Sequence, residues 1–131
     1  MPELKRILYV EDEPDIQLVA RMALEMMGGY EIVLCSSGKD ALETAPAAHA
    51  DLFLLDVMMP GMDGPTTMAR LREIPALSRI PAIFMTAKAQ PAEVSNLLSL
   101  GACGVIPKPF DPMTLADEVR AIWQRAIAQG E

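Results

Sequence analysis

The sequence predicts an α/β fold: one parallel sheet of five strands, covered by five helices, in a three-layer sandwich. Three observations predict it. Short apolar runs alternate with amphipathic stretches of helical period, the mark of repeated βαβ units. The run Leu52–Leu55 is apolar without interruption, as a central strand covered on both faces requires. Right-handed crossovers then stack five such units into a single sheet with helices on both sides.

The elements follow in order. The first strand is Arg6–Val10. Pro14 suits a first helical turn, and Ile16, Val19, Ala20, Ala23, Leu24 and Met27 recur at helical spacing behind it. Gly28-Gly29 stops that helix. The second strand is Glu31–Cys35, after which Ser36-Ser37 can cap a short helix carrying Ala41, Leu42 and Ala45. The third strand, Leu52–Leu55, leads into the turn-rich loop Pro60-Gly61-Met62-Asp63-Gly64-Pro65 and a helix to about Glu73. The fourth strand is Ala82–Met85, followed by a helix using Val94, Leu97 and Leu98 that Gly101 ends. The fifth strand is Gly104–Ile106. The last helix starts near Pro112 and presents Leu115, Val119, Ile122, Trp123 and Ala126 to the sheet.

Length and composition narrow the function classes. A chain of 131 residues reads as one domain with a self-sufficient core, and neither a linker nor an output domain is expected. A net charge of −7 argues against nucleic-acid binding by this domain alone, which needs clustered Lys and Arg. No apolar run approaches the ~20 residues of a membrane-spanning helix, and Lys5-Arg6 precedes no signal peptide. The expected location is the cytoplasm. Cys35 and Cys103 lie far apart without a metal-binding spacing and read as small buried hydrophobes. His49 has no partner histidine and reads as a loop residue.

Four of the apolar runs end on residues used in phosphoryl chemistry. The first reaches Glu11-Asp12, the third Asp56, the fourth Thr86 and the fifth Lys108. Open parallel sheets bind ligands outside the carboxyl ends of their strands. Neighbouring strands lie about 4.8 Å apart, so Glu11, Asp12 and Asp56 meet if the first and third strands are adjacent. Two unit charges ~4 Å apart interact by about 4 kcal/mol at an effective dielectric of 20. Three gathered carboxylates therefore need a cation or a shared proton. Hard oxygen donors without histidine or thiolate favour Mg²⁺, and Lys108 supplies a second positive charge. That geometry suits metal-assisted phosphoryl transfer.

Plainer readings stand beside this one. Acids after a strand are common helix N-caps, and for Glu11-Asp12 capping and ligation weigh equally. Thr86 alone would serve as a cap or a strand-end hydroxyl. Asp63-Gly64 reads as turn chemistry, and the methionines read as packing, with Met58, Met59 and Met62 near the site. Asp56, behind four apolar residues, is an odd place for a solvated charge. Lys108 is held between Pro107 and Pro109, which restrict the backbone.

The residues resemble the receiver domain of two-component response regulators, of the single-domain, chemotaxis-regulator-like kind. The resemblance runs from about Lys5 to Arg125. It rests on Val10-Glu11-Asp12-Glu13, on Leu55-Asp56-Val57-Met58-Met59-Pro60-Gly61-Met62-Asp63-Gly64, on Thr86-Ala87 and on Lys108-Pro109-Phe110. It implies a flavodoxin-like sheet of order 2-1-3-4-5. It also implies that Asp56 is the phospho-acceptor for a histidine kinase or a histidine phosphotransfer protein. Glu11, Asp12, Asp56 and the backbone carbonyl of Met58 would hold Mg²⁺. Thr86 and Lys108 would contact phosphoryl oxygens, small Ala87 would leave the site open, and Lys108-Pro109 would be cis. The phosphorylated face would bind a downstream protein.

The chain departs from the family pattern at Val105, where a Tyr or Phe usually rotates inward with the threonine. The expected switch is therefore carried by the Thr86 loop and the backbone. Two other classes were weighed. A Mg²⁺-dependent aspartyl phosphatase or phosphotransferase commonly has a second Asp two residues after the nucleophile, where this chain has Met58. A receiver-like interaction domain independent of phosphorylation would not need the intact acid pair, Thr86 and Lys108.

Overall fold

The computed structural model describes residues 3–130. Five parallel strands, β1 (Arg6–Val10), β2 (Glu31–Cys35), β3 (Leu52–Asp56), β4 (Ala82–Thr86) and β5 (Gly104–Pro107), form one sheet in the order β2-β1-β3-β4-β5. The helices are α1 (Pro14–Gly28), α2 (Gly38–Ala48), α3 (Gly64–Arg72), α4 (Pro91–Ser99) and α5 (Leu115–Gly130). A short 3₁₀ turn, Pro75–Leu77, lies between α3 and β4.

Side-chain alternation along the strands builds two cores, one on each face of the sheet. Ile7 and Tyr9 of β1, Leu52 and Leu54 of β3, and Ile83 and Met85 of β4 pack against Ala20 and Leu24 of α1 and Val119 and Trp123 of α5. Leu8, Val10, Phe53, Leu55 and Phe84 point the other way, against Ala41 and Ala45 of α2, Met68 and Leu71 of α3 and Leu97 of α4. Every residue of β3 is buried, which is why that segment is the least alternating in the sequence. Each such side chain contributes roughly 1.5–3 kcal/mol relative to exposure.

Local chemistry sets the element ends. Gly29 takes a left-handed φ of 71° and its N–H bonds back into α1, closing the helix. The Ser37 hydroxyl accepts from the Asp40 N–H, and the Asp63 carboxylate accepts from the Thr66 N–H, capping α2 and α3. His49 follows α2 at a positive φ of 54°. The Lys108-Pro109 bond is cis. Cys35 is buried and Cys103 half-buried, and both are free thiols.

Several boundaries differ from expectation. β3, β4 and β5 each run one residue further, so Asp56 and Thr86 are the last residues of their strands. α2 extends through Pro46 to Ala48. α5 begins at Leu115 rather than near Pro112, because Asp111 first closes a turn by accepting from the backbone of Met113 and Thr114. On α1, Val19 and Met27 are about half exposed, although the helical period placed them inward. Small Ala20 and Ala23 let α1 sit close to the sheet, and the longer side chains fall at its edges. Met22, Met26 and Met113 are exposed too, so packing accounts for only some of the methionines.

Gly64 links the fold to the site. A Cβ there would lie 2.3 Å from the Asp56 carbonyl oxygen, and that backbone belongs to the central strand. Gly64→Ala is expected to lower stability by about 2 kcal/mol through overpacking, read by urea denaturation. A loss under half of that would mean that the loop yields instead.

Candidate functional site

Period-2 alternation places the site before any side-chain contact is considered. Counting on from Ile7 and Tyr9 puts Glu11 on the α1/α5 face of the sheet. Counting on from Leu52 and Leu54 puts Asp56 there, and Ile106 does the same for Lys108. Backbone bonds past the strand ends hold this register: Glu11 N–H to the Cys35 carbonyl at 3.1 Å, and Lys108 N–H to the Thr86 carbonyl at 2.8 Å. β1 and β3 are adjacent, with Val10 opposite Leu55, so Glu11 and Asp56 emerge side by side.

The groups converge as the sequence suggests. Carboxylate oxygens of Glu11, Asp12 and Asp56 all lie within 4.8 Å of one another. Glu11 is fully buried, Asp56 is 3% exposed and Asp12 is half-buried. The Lys108 ammonium donates to Glu11 Oε1 at 2.9 Å and to Asp56 Oδ1 at 3.0 Å, bridging two strands that are not its own neighbours. Burial pushes the Glu11 carboxyl above its ordinary range; Lys108 offsets part of this and the Asp56 charge adds to it. Burial pulls the Lys108 ammonium down, but its bonds to Glu11 and Asp56 outweigh that and leave it raised. The Lys108 ammonium therefore stays charged at neutral pH, and the stability that its raised pKa contributes is lost as pH climbs past the ordinary lysine value of 10.5.

The capping reading of the acid pair does not hold. The residue before α1 is Glu13, whose side chain caps nothing, while Glu11 is turned into the pocket. Thr86 is buried at the end of β4, on the opposite side of that strand from Met85, and its hydroxyl accepts from the Lys88 N–H at 3.0 Å. Met58, two residues past Asp56, exposes its side chain in the β3–α3 loop. Ala87 is exposed beside the pocket, in a shallow apolar groove with Ile16, Val19, Pro109 and Phe110. Val105 is half-buried against the α2–α4 core.

Two residues escaped the sequence reading. The Gln17 side-chain amide donates to the Glu11 carbonyl, tying α1 to the acid loop. Tyr9 is fully buried immediately before the acids, and its hydroxyl makes no hydrogen bond among the described residues. Burial, then the Glu11 and Asp56 charges, push its phenol well above the ordinary range. A signal for Tyr9 was present: in a strand, residue i−2 shares the face of residue i.

The donor set fits a hard divalent cation. All three side chains offer anionic oxygen, two of them buried, and neither histidine nor cysteine belongs to the cluster. An aspartate at the end of a central parallel strand, flanked by acids, a lysine and a hydroxyl, defines a phosphoryl-handling α/β module.

Comparison with known proteins bears this out. The family model described as response regulator receiver domain matches residues 7–120. The transcriptional regulatory protein CseB of Streptomyces avermitilis is 35% identical over 95% of this chain and 52% of its own length. The alkaline phosphatase synthesis transcriptional regulatory protein PhoP of Bacillus subtilis is 35% identical over 93% of this chain and 50% of its own length. The chain thus spans about half the length of these curated relatives. Among solved structures, the chemotaxis protein CheY4 of Vibrio cholerae superposes with a TM-score of 0.83 at 28% identity, covering 92% of this chain and 99% of its own. The signal receiver domain of a histidine kinase from Syntrophus aciditrophicus gives a TM-score of 0.79 at 32% identity, covering 92% and 91%. The chain belongs to the response regulator receiver domain family, the phospho-accepting switches of two-component signalling.

Lys108 compensates Glu11 and Asp56, whereas Asp12 makes no ion pair among the described residues. In chelator-containing buffer, Asp12→Asn is therefore expected to stabilise the fold by about 1 kcal/mol, the water-like limit for a half-exposed charge. Urea denaturation measures this. A destabilised variant would show the carboxylate to be structural.

Proposed function

We propose that Asp56 is the phospho-acceptor, taking a phosphoryl group from the phosphohistidine of a histidine kinase or histidine phosphotransfer protein. An Asp56 carboxylate oxygen attacks phosphorus, the P–N bond breaks as the P–O bond forms, and the imidazole, its other ring nitrogen already protonated, takes the electron pair and leaves neutral. The product is an acyl phosphate. The observation that carries this reading is Lys108 bridging buried Asp56 to buried Glu11 at hydrogen-bond distance. A carboxylate so placed is pinned in one orientation at the mouth of the pocket, and positioning supplies most of the catalysis in phosphoryl transfer.

Glu11, Asp12, Asp56 and the backbone carbonyl of Met58 would hold Mg²⁺, in keeping with an all-oxygen acidic cluster. That ion supplies neutralisation of the charge that gathers on the phosphoryl oxygens. Lys108, already between the carboxylates, turns its ammonium to a phosphoryl oxygen. The Thr86 hydroxyl, at the neighbouring strand end, donates to another once it leaves the Lys88 N–H. The chain promotes its own phosphorylation and dephosphorylation and acts on no separate substrate.

Phosphorylation replaces the single charge of the Asp56 carboxylate with the nearly doubled charge of a phosphoryl group, and contacts in the pocket must shift to compensate the difference. With Val105 in place of a ring, the change passes through the Thr86 loop and the backbone joining β4 to β5, where Lys108 N–H meets the Thr86 carbonyl. A downstream protein reads the altered face. Receiver function fills the whole folded unit from about residue 5 to 125.

Asp56→Asn is expected to abolish the mass gain of a single phosphoryl group on incubation with acetyl phosphate and Mg²⁺, read by intact mass spectrometry. Labelling that persists moves the acceptor elsewhere. Lys108→Ala, kept in Mg²⁺ so that the buried carboxylates retain a counter-charge, is expected to fold with lowered stability and to take up phosphate, yet to lose the chemical-shift changes at residues 86–110 that follow it in the wild type. Unaltered shift changes would remove Lys108 from the switch.

A further inference from the structure

We propose that Tyr9 is a positioning residue of the phosphoacceptor pocket: its buried hydroxyl takes over the Glu11 carboxylate when Lys108 leaves it for the phosphoryl group. This inference rests on the phosphoacceptor reading of Asp56.

The argument begins with hydrogen-bond accounting. Glu11 is fully buried and shares its oxygens between the Lys108 ammonium, at 2.9 Å from Oε1, and the Glu13 N–H, at 3.3 Å from Oε2. The second of these is long, so Lys108 is the principal partner. The same ammonium also serves Asp56 at 3.0 Å. When the phosphoryl group draws Lys108 away, Oε1 of this buried carboxylate loses its partner even where Oε2 turns to a metal ion, and low-dielectric surroundings penalise an unmet carboxylate oxygen heavily.

Tyr9 is the group placed to answer that loss. It shares the α1/α5 face of β1 with Glu11, two residues earlier, and Glu11 and Asp56 are the charges that act on its phenol. Its hydroxyl is buried and makes no hydrogen bond among the described residues, although such groups are nearly always paired. The ring packs in the apolar core of α1 and α5, and the acidic cluster begins two residues on along the same face of β1. At neutral pH a phenol is a donor, the polarity a carboxylate needs. Phe at this position would fill nearly the same core volume and leave Glu11 without that donor.

The test compares two states of the full chain. Beryllofluoride, with saturating Mg²⁺, imitates the phosphoryl group, and its affinity is read by calorimetry. Tyr9→Phe is expected to weaken beryllofluoride binding about tenfold, the worth of a hydrogen bond to a charged group. Its Mg²⁺ affinity without beryllofluoride is expected to change less than twofold, since Lys108 still holds Glu11. Tyr30→Phe, which removes a phenol bound by Arg120 at the opposite pole, is expected to alter neither. Equal weakening in both states, or none, overturns the role of Tyr9. A second measurement needs no variant: Tyr9 and Tyr30 are the two tyrosines, and with ¹³C-labelled tyrosine the Cζ resonance of Tyr9 alone is expected to shift on adding beryllofluoride. An unmoved Tyr9 resonance overturns the proposal, and wild-type protein that binds no beryllofluoride overturns the phosphoacceptor reading beneath it.

Discussion

One ammonium between two buried carboxylates is the interaction on which the rest of this structure depends. Glu11 and Asp56 belong to adjacent central strands, are almost wholly removed from water, and carry like charges within a few ångströms of each other. Burying them unpaired would cost several kcal/mol per ion. Lys108 makes the arrangement tenable by donating to both at about 3 Å. It stands at the end of β5, separated from β1 and β3 by β4, so only a correctly ordered sheet brings it there. The tertiary fold and the charge balance of the pocket therefore enforce each other.

Parallel pairing explains why such a pocket forms at this end of the molecule. All five strands point one way, so their last residues share one rim, and alternation decides which face each side chain takes. Glu11, Asp56 and Lys108 fall on the α1/α5 face, whereas Thr86 lies on the other side of β4. Opposite parity is useful here. On the proposed reading, a phosphoryl group on Asp56 would direct oxygens to both sides, to be met by the Lys108 ammonium on one and the Thr86 hydroxyl on the other.

Much of this was legible in the sequence because it follows from periodicity and from chain order. The strand ranges Arg6–Val10 and Glu31–Cys35 needed only apolar runs bounded by turn residues, and the five polar residues at four strand ends announced the rim. What stayed hidden depends on distance in space. Nothing in the spacing shows that Lys108 bridges Glu11 to Asp56, a contact across 97 residues on one side and 52 on the other. The ambiguity between capping and ligation at Glu11-Asp12 could be resolved only by seeing which way Glu11 turns. Val19 and Met27 misled for a different reason: a helix lying on a sheet by its alanines leaves larger side chains at its margins, and period alone does not rank them. Tyr9 looked like a core aromatic, which it is, and its hydroxyl gained meaning only from the acids above it.

The charge count then constrains how such a switch can work. Three carboxylates and one ammonium leave the pocket with two uncompensated negative charges, so an arriving anion must bring or find a cation. On the proposed reading a divalent ion would bring that sum to zero, and conversion of the Asp56 carboxylate to an acyl phosphate would return about one negative charge. The Lys108 ammonium already divides its donors between Glu11 and Asp56, so a phosphoryl oxygen competes with bonds that already exist. Redistribution propagates: the Lys108 N–H is bonded to the Thr86 carbonyl, and the Thr86 hydroxyl holds the Lys88 N–H. Pulling on the ammonium and on the hydroxyl thus loads the same β4 terminus from both faces. A coupling routed as proposed would need no rotating ring at position 105, because it runs through the hydrogen bonds of the β4 end itself.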